Sequence, residues 1–380
     1  MFKDTYWRVI FALSLVLIGT IVDMHLPPHR LRPFSNISHN VTCPKCNTSC
    51  PNTSSICPEA PSTHHAPLTE WAQHLIHQHQ HPVQCTKVMV TEGWTWGMGS
   101  EMHVVGSHLA QAMEEGYVLT WGTTSCSRWV NRSICALGCE CIYQRLTHCP
   151  VTPTAHSIGG MGARTLVPSV FASRLKQQYP SMTNNQILYW WRAQSVAYLM
   201  RLQPAYMAEV QRMRKDTTMH YNTPYPMPSG TINIHIRGGD KYKEMTLVPA
   251  QTFVQHYLNM IDKAPFSYSR HVFLSSDDGA AIEHCKQALE QKKHIVMYTH
   301  MERMAGGHDI EKVGAFHKNL TQVVVQNLLQ LFMALEADAW IGTRESNWPR
   351  LIDELRCVWV GKCERVFNDI GALKPDDYAW

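Results

Sequence analysis

Between Thr231 and Arg356 short apolar runs alternate with amphipathic ones in a fixed order: TINIHI, HVFLS, AAIEHCKQALEQ, HIVMY, TQVVVQNLLQLFMALEA, DAWIG and RLIDELR. The β-branched runs are too short for helices, and the segments between them carry apolar residues at helical spacing. Buried strands joined by helices specify a parallel, doubly wound sheet. Ligands of such sheets bind beyond the carboxyl ends of the strands, so the loops opening at Arg237, Ser276 and Thr343 are where chemistry is expected.

A similar grammar opens near Thr86. KVMVT reads as a strand, EGWTWGMGSEMH as a glycine loop, HVVGSHLAQAMEEG as a helix and YVLTW as a second strand. Cys126, Cys135, Cys139, Cys141 and Cys149 then crowd an irregular insertion, which reads as a disulfide-stapled loop that can include Cys85, with connectivity open. QILYWWRAQSVAYLMR has helical spacing, and its aromatics read as core rather than as a sugar platform. RMRKDTTMHYNTPYPMPSG reads as a linker between two domains.

The chain begins with an uncharged, mostly apolar run from Val9 to Val22, preceded by Lys3 and Arg8. This is a secretory entry signal, and with no small-x-small site after it we read residues 1–24 as a membrane anchor. Residues 25–85 are rich in Pro, Ser, Thr, Asn, Cys and His without a sustained apolar period, and read as a stem. Four of the six Asn-x-Ser/Thr sequons (Asn36, Asn40, Asn47, Asn52, Asn131 and Asn319) fall there, as expected of a glycosylated lumenal segment. Thirteen cysteines suit an oxidising compartment and leave one unpaired, for which Cys285 within a helix is the candidate. For Cys43, Cys46, Cys50 and Cys57 local disulfides outweigh a zinc knot, and the histidines at 64, 65, 74, 77, 79 and 81 read as a solvated polar stretch rather than metal ligands. A net charge of +4 with scattered basic residues gives no footprint for nucleic acid.

Each candidate loop has its own chemistry. HIRGGDKYKEM places His235, Arg237, Asp240, Lys241 and Glu244 directly after a buried strand, where an arginine can grip a diphosphate. An internal pair between Arg237 and Asp240 is the competing reading. SSDDG offers Asp277 and Asp278 to a ribose or sugar, with one of them also suited to capping the next helix. GTRESNWPRLIDELR puts Thr343, Ser346 and Asn347 ahead of a helix amino end, which attracts phosphate. Gly97, Gly99 and Ser100 stand at the turn from the first strand to its helix, where backbone N–H groups can approach a phosphate.

In these residues the chain resembles the alpha-1,6-/O-fucosyltransferase superfamily, which includes core alpha-1,6- and rhizobial Nod-factor fucosyltransferases, over roughly residues 86–372. The family's His-x-Arg-x-x-Asp-Lys motif matches His235, Arg237, Asp240 and Lys241, and its paired aspartates match Asp277 and Asp278. Its Ala-Asp strand and Thr-x-x-Ser motif match Asp338, Thr343, Ser346, Asn347 and Arg350, and WWRAQ around Trp191 and GMGSEMH at Gly97 resemble its upstream segments. The resemblance implies an α/β fold of the GT-B type, with two Rossmann-like domains facing a cleft behind the anchor and stem. The first would span residues 86–225 and the second, binding the donor, residues 226–380. It further implies inverting transfer of L-fucose from GDP-fucose to a glycan or glycoprotein, through an alpha-1,6 link, without a metal or other cofactor, by an enzyme anchored in the Golgi membrane with its catalytic part in the lumen. His235, Arg237, Thr343, Ser346 and Gly97 to Ser100 would hold the nucleotide and its phosphates, while Asp240 and Lys241 order the loop.

Three positions depart from the family pattern. Gly238 replaces a second arginine, Met245 stands where the family has its catalytic glutamate, leaving Glu244 as the nearest base, and Gln330 replaces the aspartate that holds guanine. A glutamine lacks the paired acceptors that suit guanine's donors, so another GDP-sugar is one alternative. A non-catalytic lumenal glycan-binding protein of the same fold is a second.

Overall fold

The computed structural model describes residues 65–372, apart from 94–96, 132–134, 265–266 and 304–319. The anchor, most of the stem with its sequons and cysteines, and Asn319 lie outside the described residues; Asn131 is exposed. Among the described residues no helix is long and apolar enough to cross a membrane.

The architecture is mixed α/β with two sheets built on parallel strands. The first sheet has order β2-β1-β3, from β1 (Val88–Thr91), β2 (Val118–Trp121) and β3 (His156–Ile158), all parallel. The second has order β4-β7-β6-β5-β8-β9, from β4 (His220–Tyr221), β5 (Ile232–Ile236), β6 (His271–Ser276), β7 (Ile295–Thr299), β8 (Ala339–Gly342) and β9 (Phe367–Asp369). Only β4 runs antiparallel, pairing with β7. All five residues of β5 and all four of β8 are buried, as central strands covered on both faces require.

In chain order the helices are α1 (Thr69–Gln80), α2 (Met98–Glu115), α3 (Ser169–Gln178), α4 (Asn184–Leu199), α5 (Pro204–Lys215), α6 (Ala250–Lys263), α7 (Gly279–Glu290), α8 (Leu320–Glu336) and α9 (Asn347–Val358). Helix α4 starts where Thr183 accepts from Gln186 N and the Gln186 side chain returns a bond to Thr183 N, a capping box. Trp190 and Trp191 on α4 are buried, the core role expected for them.

Helices α6 and α7 cover one side of the larger sheet through Phe253, Val254, Tyr257, Ile282 and Leu289. The other side, through Phe273, Met297 and Trp340, shares one apolar core with α1, α2, α4, α5, α8 and α9. That core is continuous across the 225/226 boundary: α9 packs against both α2 and α4. Arg214 at the end of α5 adds a tie, holding Glu336 of α8 through two 2.6 Å bonds.

Two segments depart from the sequence expectation. Helix α1 lies within the stretch read as stem, yet Ala72 and Ile76 are fully buried. Its apolar stripe is short, and its polar residues are anchors: Gln80 donates to Leu119 O at 2.8 Å and accepts from Leu119 N, while His79 Nε2 donates to Tyr117 O at 2.7 Å. His65 Nδ1 likewise donates to Val358 O at 3.0 Å, so His65 and His79 act as anchors, while His74 is exposed as expected and His64 lies outside the described residues. The expected linker also contributes structure, since Arg212–Lys215 finish α5 and His220–Tyr221 form β4.

The cysteines resolve into Cys85–Cys149, Cys126–Cys139, Cys135–Cys141 and Cys357–Cys363. Cys285 is the free thiol among the described residues; it is buried on α7, and burial pushes its pKa up to about 12.

Candidate active site

The carboxyl ends of β5, β6, β7 and β8 bring the expected residues to one edge of the larger sheet. His235 lies within β5 and is buried in the sheet packing, whereas Arg237 is the first residue after the strand and stands at the loop mouth. Arg237 is clasped on two sides, by Asp277 after β6 and by Asp240 Oδ1 at 2.7 Å. Gly238 N donates to Asp277 Oδ1 at 3.2 Å, so the strand-end backbone is pinned to the same carboxylate. The internal pair with Asp240 is therefore present, within a larger constellation that fixes the guanidinium with its side chain 21% exposed.

His235 is buried. Its Nδ1 lies 2.9 Å from Ser275 Oγ, and its Nε2 has no hydrogen-bond partner among the described residues. Burial lowers its pKa to about 4, opposed by the Asp277 charge and helped by that of Arg237, so the ring is neutral at pH 7. Thr343, at the end of β8, also keeps a buried hydroxyl without a partner among the described residues. Buried polar atoms are nearly always satisfied, and two on adjacent strand ends mark a place built to receive polar groups.

Asp278 caps α7 by accepting from Ala280 N at 2.9 Å. Lys241 is buried and pairs with Glu244, whose side chain is half exposed. Ser346 is the N-cap residue of α9 and makes no side-chain cap bond, and Asn347 opens the helix. Gly97 caps α2, and a Cβ there would meet nothing within 4 Å. At Gly99 a Cβ would stand 3.2 Å from the Asn347 carbonyl, so the amino ends of α2 and α9 converge; Ser100 follows in the same first turn of α2. Gln330 on α8 is buried and donates to Thr299 Oγ1 at 3.3 Å, placing it at the end of β7. Asp338, matched to the same motif as Thr343, lies at the opposite end of β8, where it accepts from Gly230 N at 2.7 Å.

Arg303 has no expectation attached to it in the sequence. Its guanidinium donates to Ser276 O at 2.9 Å, Thr299 O at 2.9 Å, Met301 O at 3.2 Å and Thr299 Oγ1 at 3.1 Å, tying the ends of β6 and β7 together. Burial lowers its pKa to about 10, which leaves it charged at pH 7. A single arginine in a loop carries no period that a sequence reading can detect.

A cleft of about 530 Å³ runs beside Arg237 and Gly238, between Leu247–Gln251 and the start of α7 from Asp278 to His284. Another cavity, of about 180 Å³, lies at the opposite, amino ends of β1 and β2 beside Lys87 and Tyr117, away from these groups.

No protein-family description and no curated protein matches the sequence. Solved structures are similar to it. A NodZ alpha-1,6-fucosyltransferase soaked with GDP-fucose is 13% identical over 71% of this chain and 93% of its own, with a TM-score of 0.39. A mutant of Arabidopsis thaliana FUT1 in complex with GDP is 11% identical over 76% of this chain and 74% of its own, with a TM-score of 0.39. POFUT1 in complex with GDP is 10% identical over 76% of this chain and 100% of its own, with a TM-score of 0.35. At TM-scores below 0.5 these likenesses are too loose to assign the chain a function.

Proposed function

We propose that the chain is a glycosyltransferase that takes a sugar from a nucleoside diphosphate, with GDP-fucose as donor and a glycan or glycoprotein as acceptor. The observation that carries this reading is the Arg237 constellation: a guanidinium fixed by Asp240 and Asp277 at a strand end, beside two buried polar atoms on His235 and Thr343 that have no partner among the described residues. A guanidinium held in advance can receive a diphosphate without reorganising, and charge builds on that diphosphate as the sugar leaves. Neutral His235 offers Nε2 as a hydrogen-bonding group rather than as a competing cation. The converging amino ends of α2 and α9 add free N–H groups and positive helix ends, which favour phosphate.

In this reading the reaction inverts the sugar's anomeric centre. The acceptor oxygen attacks as the bond to GDP breaks, Arg237 stabilises the departing diphosphate, and a carboxylate takes the acceptor proton. Within the Arg237 loop that carboxylate is Glu244, while Lys241 pairs with it and orders the turn. Gln330 would lie against the base of the nucleotide, with donor choice depending on its amide. The disulfides support an oxidising, lumenal setting, and residues 1–24 would supply a Golgi membrane anchor.

Titration of the protein with GDP, GDP-fucose and GDP-mannose in EDTA tests the donor assignment. Preference for GDP-fucose supports it, preference for GDP-mannose moves the assignment to another GDP-sugar, and no binding of any of them refutes it.

A further inference from the structure

Helix α1 and its cap residue carry histidines along one face: His74, His77 and His81 recur at three- and four-residue spacing, which places side chains above one another on a helix. The last of them meets a further histidine from the disulfide-stapled insertion. The His81 ring centroid lies 4.3 Å from that of His77, and on its other side 5.5 Å from that of His148, on which it stacks. His81 Nδ1 and His148 Nδ1 face each other at 3.3 Å. The backbone around them is fixed, since His81 N donates to His77 O at 3.0 Å and the residue after His148 is held in the Cys85–Cys149 disulfide. His77 Nδ1 is buried and has no hydrogen-bond partner among the described residues.

A proton shared between two neutral imidazoles accounts for such a separation, and so does a metal ion. Two nitrogens bound to a tetrahedral zinc at about 2.0–2.1 Å stand roughly 3.3–3.4 Å apart. The rest of the cluster favours the metal. Histidines at i and i+4 on a helix, the spacing of His77 and His81, present two ligands to one ion, whereas a hydrogen bond between His81 and His148 leaves His77 without a role. Burial, then the charges of His77, His148 and Arg201, lowers the pKa of His81 to about 4, so its ring is neutral at pH 7 and has a lone pair to offer. His148 is exposed, which gives an ion a path in from solvent. The sulfurs of Cys85 and Cys149 lie within 4.8 Å of a His148 ring nitrogen, but they are spent in their disulfide.

We propose that His81 and His148, joined by His77, bind a first-row transition-metal dication of the zinc class. Imidazole nitrogens suit Zn²⁺, Cu²⁺ and Ni²⁺, while Mg²⁺ and Ca²⁺ take oxygen ligands. His81 and His148 supply their Nδ1 atoms, and the ring that donates between them moves its proton to Nε2. The His77 ring turns about its side-chain bonds to supply the third nitrogen, and water completes the tetrahedron. The cluster lies at the amino ends of β1 and β2, because Cys85 precedes β1 and His79 bonds to Tyr117, the residue before β2. The donor loops lie at the opposite, carboxyl ends of their strands. The ion therefore ties α1 to the insertion and takes no part in donor chemistry, and the inference does not depend on the glycosyltransferase reading.

The test is calorimetric titration of Zn²⁺, with Mg²⁺ as the control, into untagged protein stripped with EDTA and dialysed without reductant, beside His77→Gln, His81→Gln and His148→Gln. The unsubstituted protein should take up Zn²⁺ saturably and ignore Mg²⁺, and its thermal midpoint should rise with Zn²⁺ concentration, as mass action requires of an ion that binds the folded state. Losing a residue that merely orients a ligand costs about 10–100-fold in metal affinity, so losing a ligand should weaken Zn²⁺ by at least about 10-fold and flatten the midpoint response. His148 is exposed, so His148→Gln tests the site even where His81→Gln fails to fold. Absence of saturable Zn²⁺ binding overturns the proposal and leaves an ordinary hydrogen bond between the two rings. An unchanged Kd in any folded variant overturns it as well, by placing the ion on other groups. Binding that appears only after reduction also overturns it, assigning the ion to the Cys85 and Cys149 thiolates.

Discussion

A Cβ atom on Gly99 would stand 3.2 Å from the carbonyl carbon and oxygen of Asn347, so the first turns of α2 and α9 meet closely at a position where a larger side chain would force them to give way. The contact joins the two halves of the chain where phosphate-attracting helix ends are needed. Gly99→Val should push these ends apart. Overpacking of this kind costs about 1–3 kcal/mol, seen as an earlier urea midpoint, and GDP affinity should fall with it. Unchanged stability and affinity would mean that the junction has no part in donor binding.

The neutral state of His235 has a consequence for acid stability. Its folded-state pKa is lowered to about 4 by burial, against an ordinary value of 6.5. Between these values the unfolded chain holds more protons than the folded one, so stability is retained above about pH 6.5 and falls as pH drops toward 4. One group shifted by this much accounts for about 3 kcal/mol over that window. His81 and other histidines with lowered values contribute in the same direction, so the informative quantity is a difference. In urea unfolding at pH 7 and pH 4.5, His235→Gln should lose less stability on acidification than the unsubstituted protein; equal losses would show that His235 is not buried neutral.

Cys285 should be inert in the folded protein. Burial on α7 raises its thiol pKa to about 12, so almost no thiolate exists at pH 8. Iodoacetamide should leave the peptide containing Cys285 unmodified in native buffer and label it fully in guanidinium chloride. Rapid native labelling would mean that α7 opens readily.

How much of each element is legible in the sequence depends on how long a pattern it supports. Strands β5, β6 and β8 are short runs, buried except for His271 and built around Ile232, Ile234, Val272, Phe273, Leu274, Trp340 and Ile341, and their order along the chain is enough to place the His235–Arg237 loop, Asp277 and Thr343 on one edge. Strand β3 has three residues and β4 two, too few for any periodicity, and both are fixed by pairing with β1 and β7. Helix α1 escapes a sequence reading because His and Gln dominate it, and their anchoring bonds to Tyr117 and Leu119 are tertiary. The same limit hides Arg303, an isolated charge in a loop whose significance comes from the strand ends it ties together. Disulfide pairing is equally out of reach, since spacing permits several connectivities that only the fold distinguishes.

The role given to Arg237, holding the donor's diphosphate, stands or falls on calorimetric titration of GDP-fucose, in EDTA, into the unsubstituted protein and into Arg237→Ala, with folding of both checked by circular dichroism. Removing a charge-assisted, bidentate interaction from a partly buried site costs about 3 kcal/mol, so saturable binding to the unsubstituted protein should weaken about 100-fold or more in the variant. Equal affinity in the two folded proteins would contradict that role.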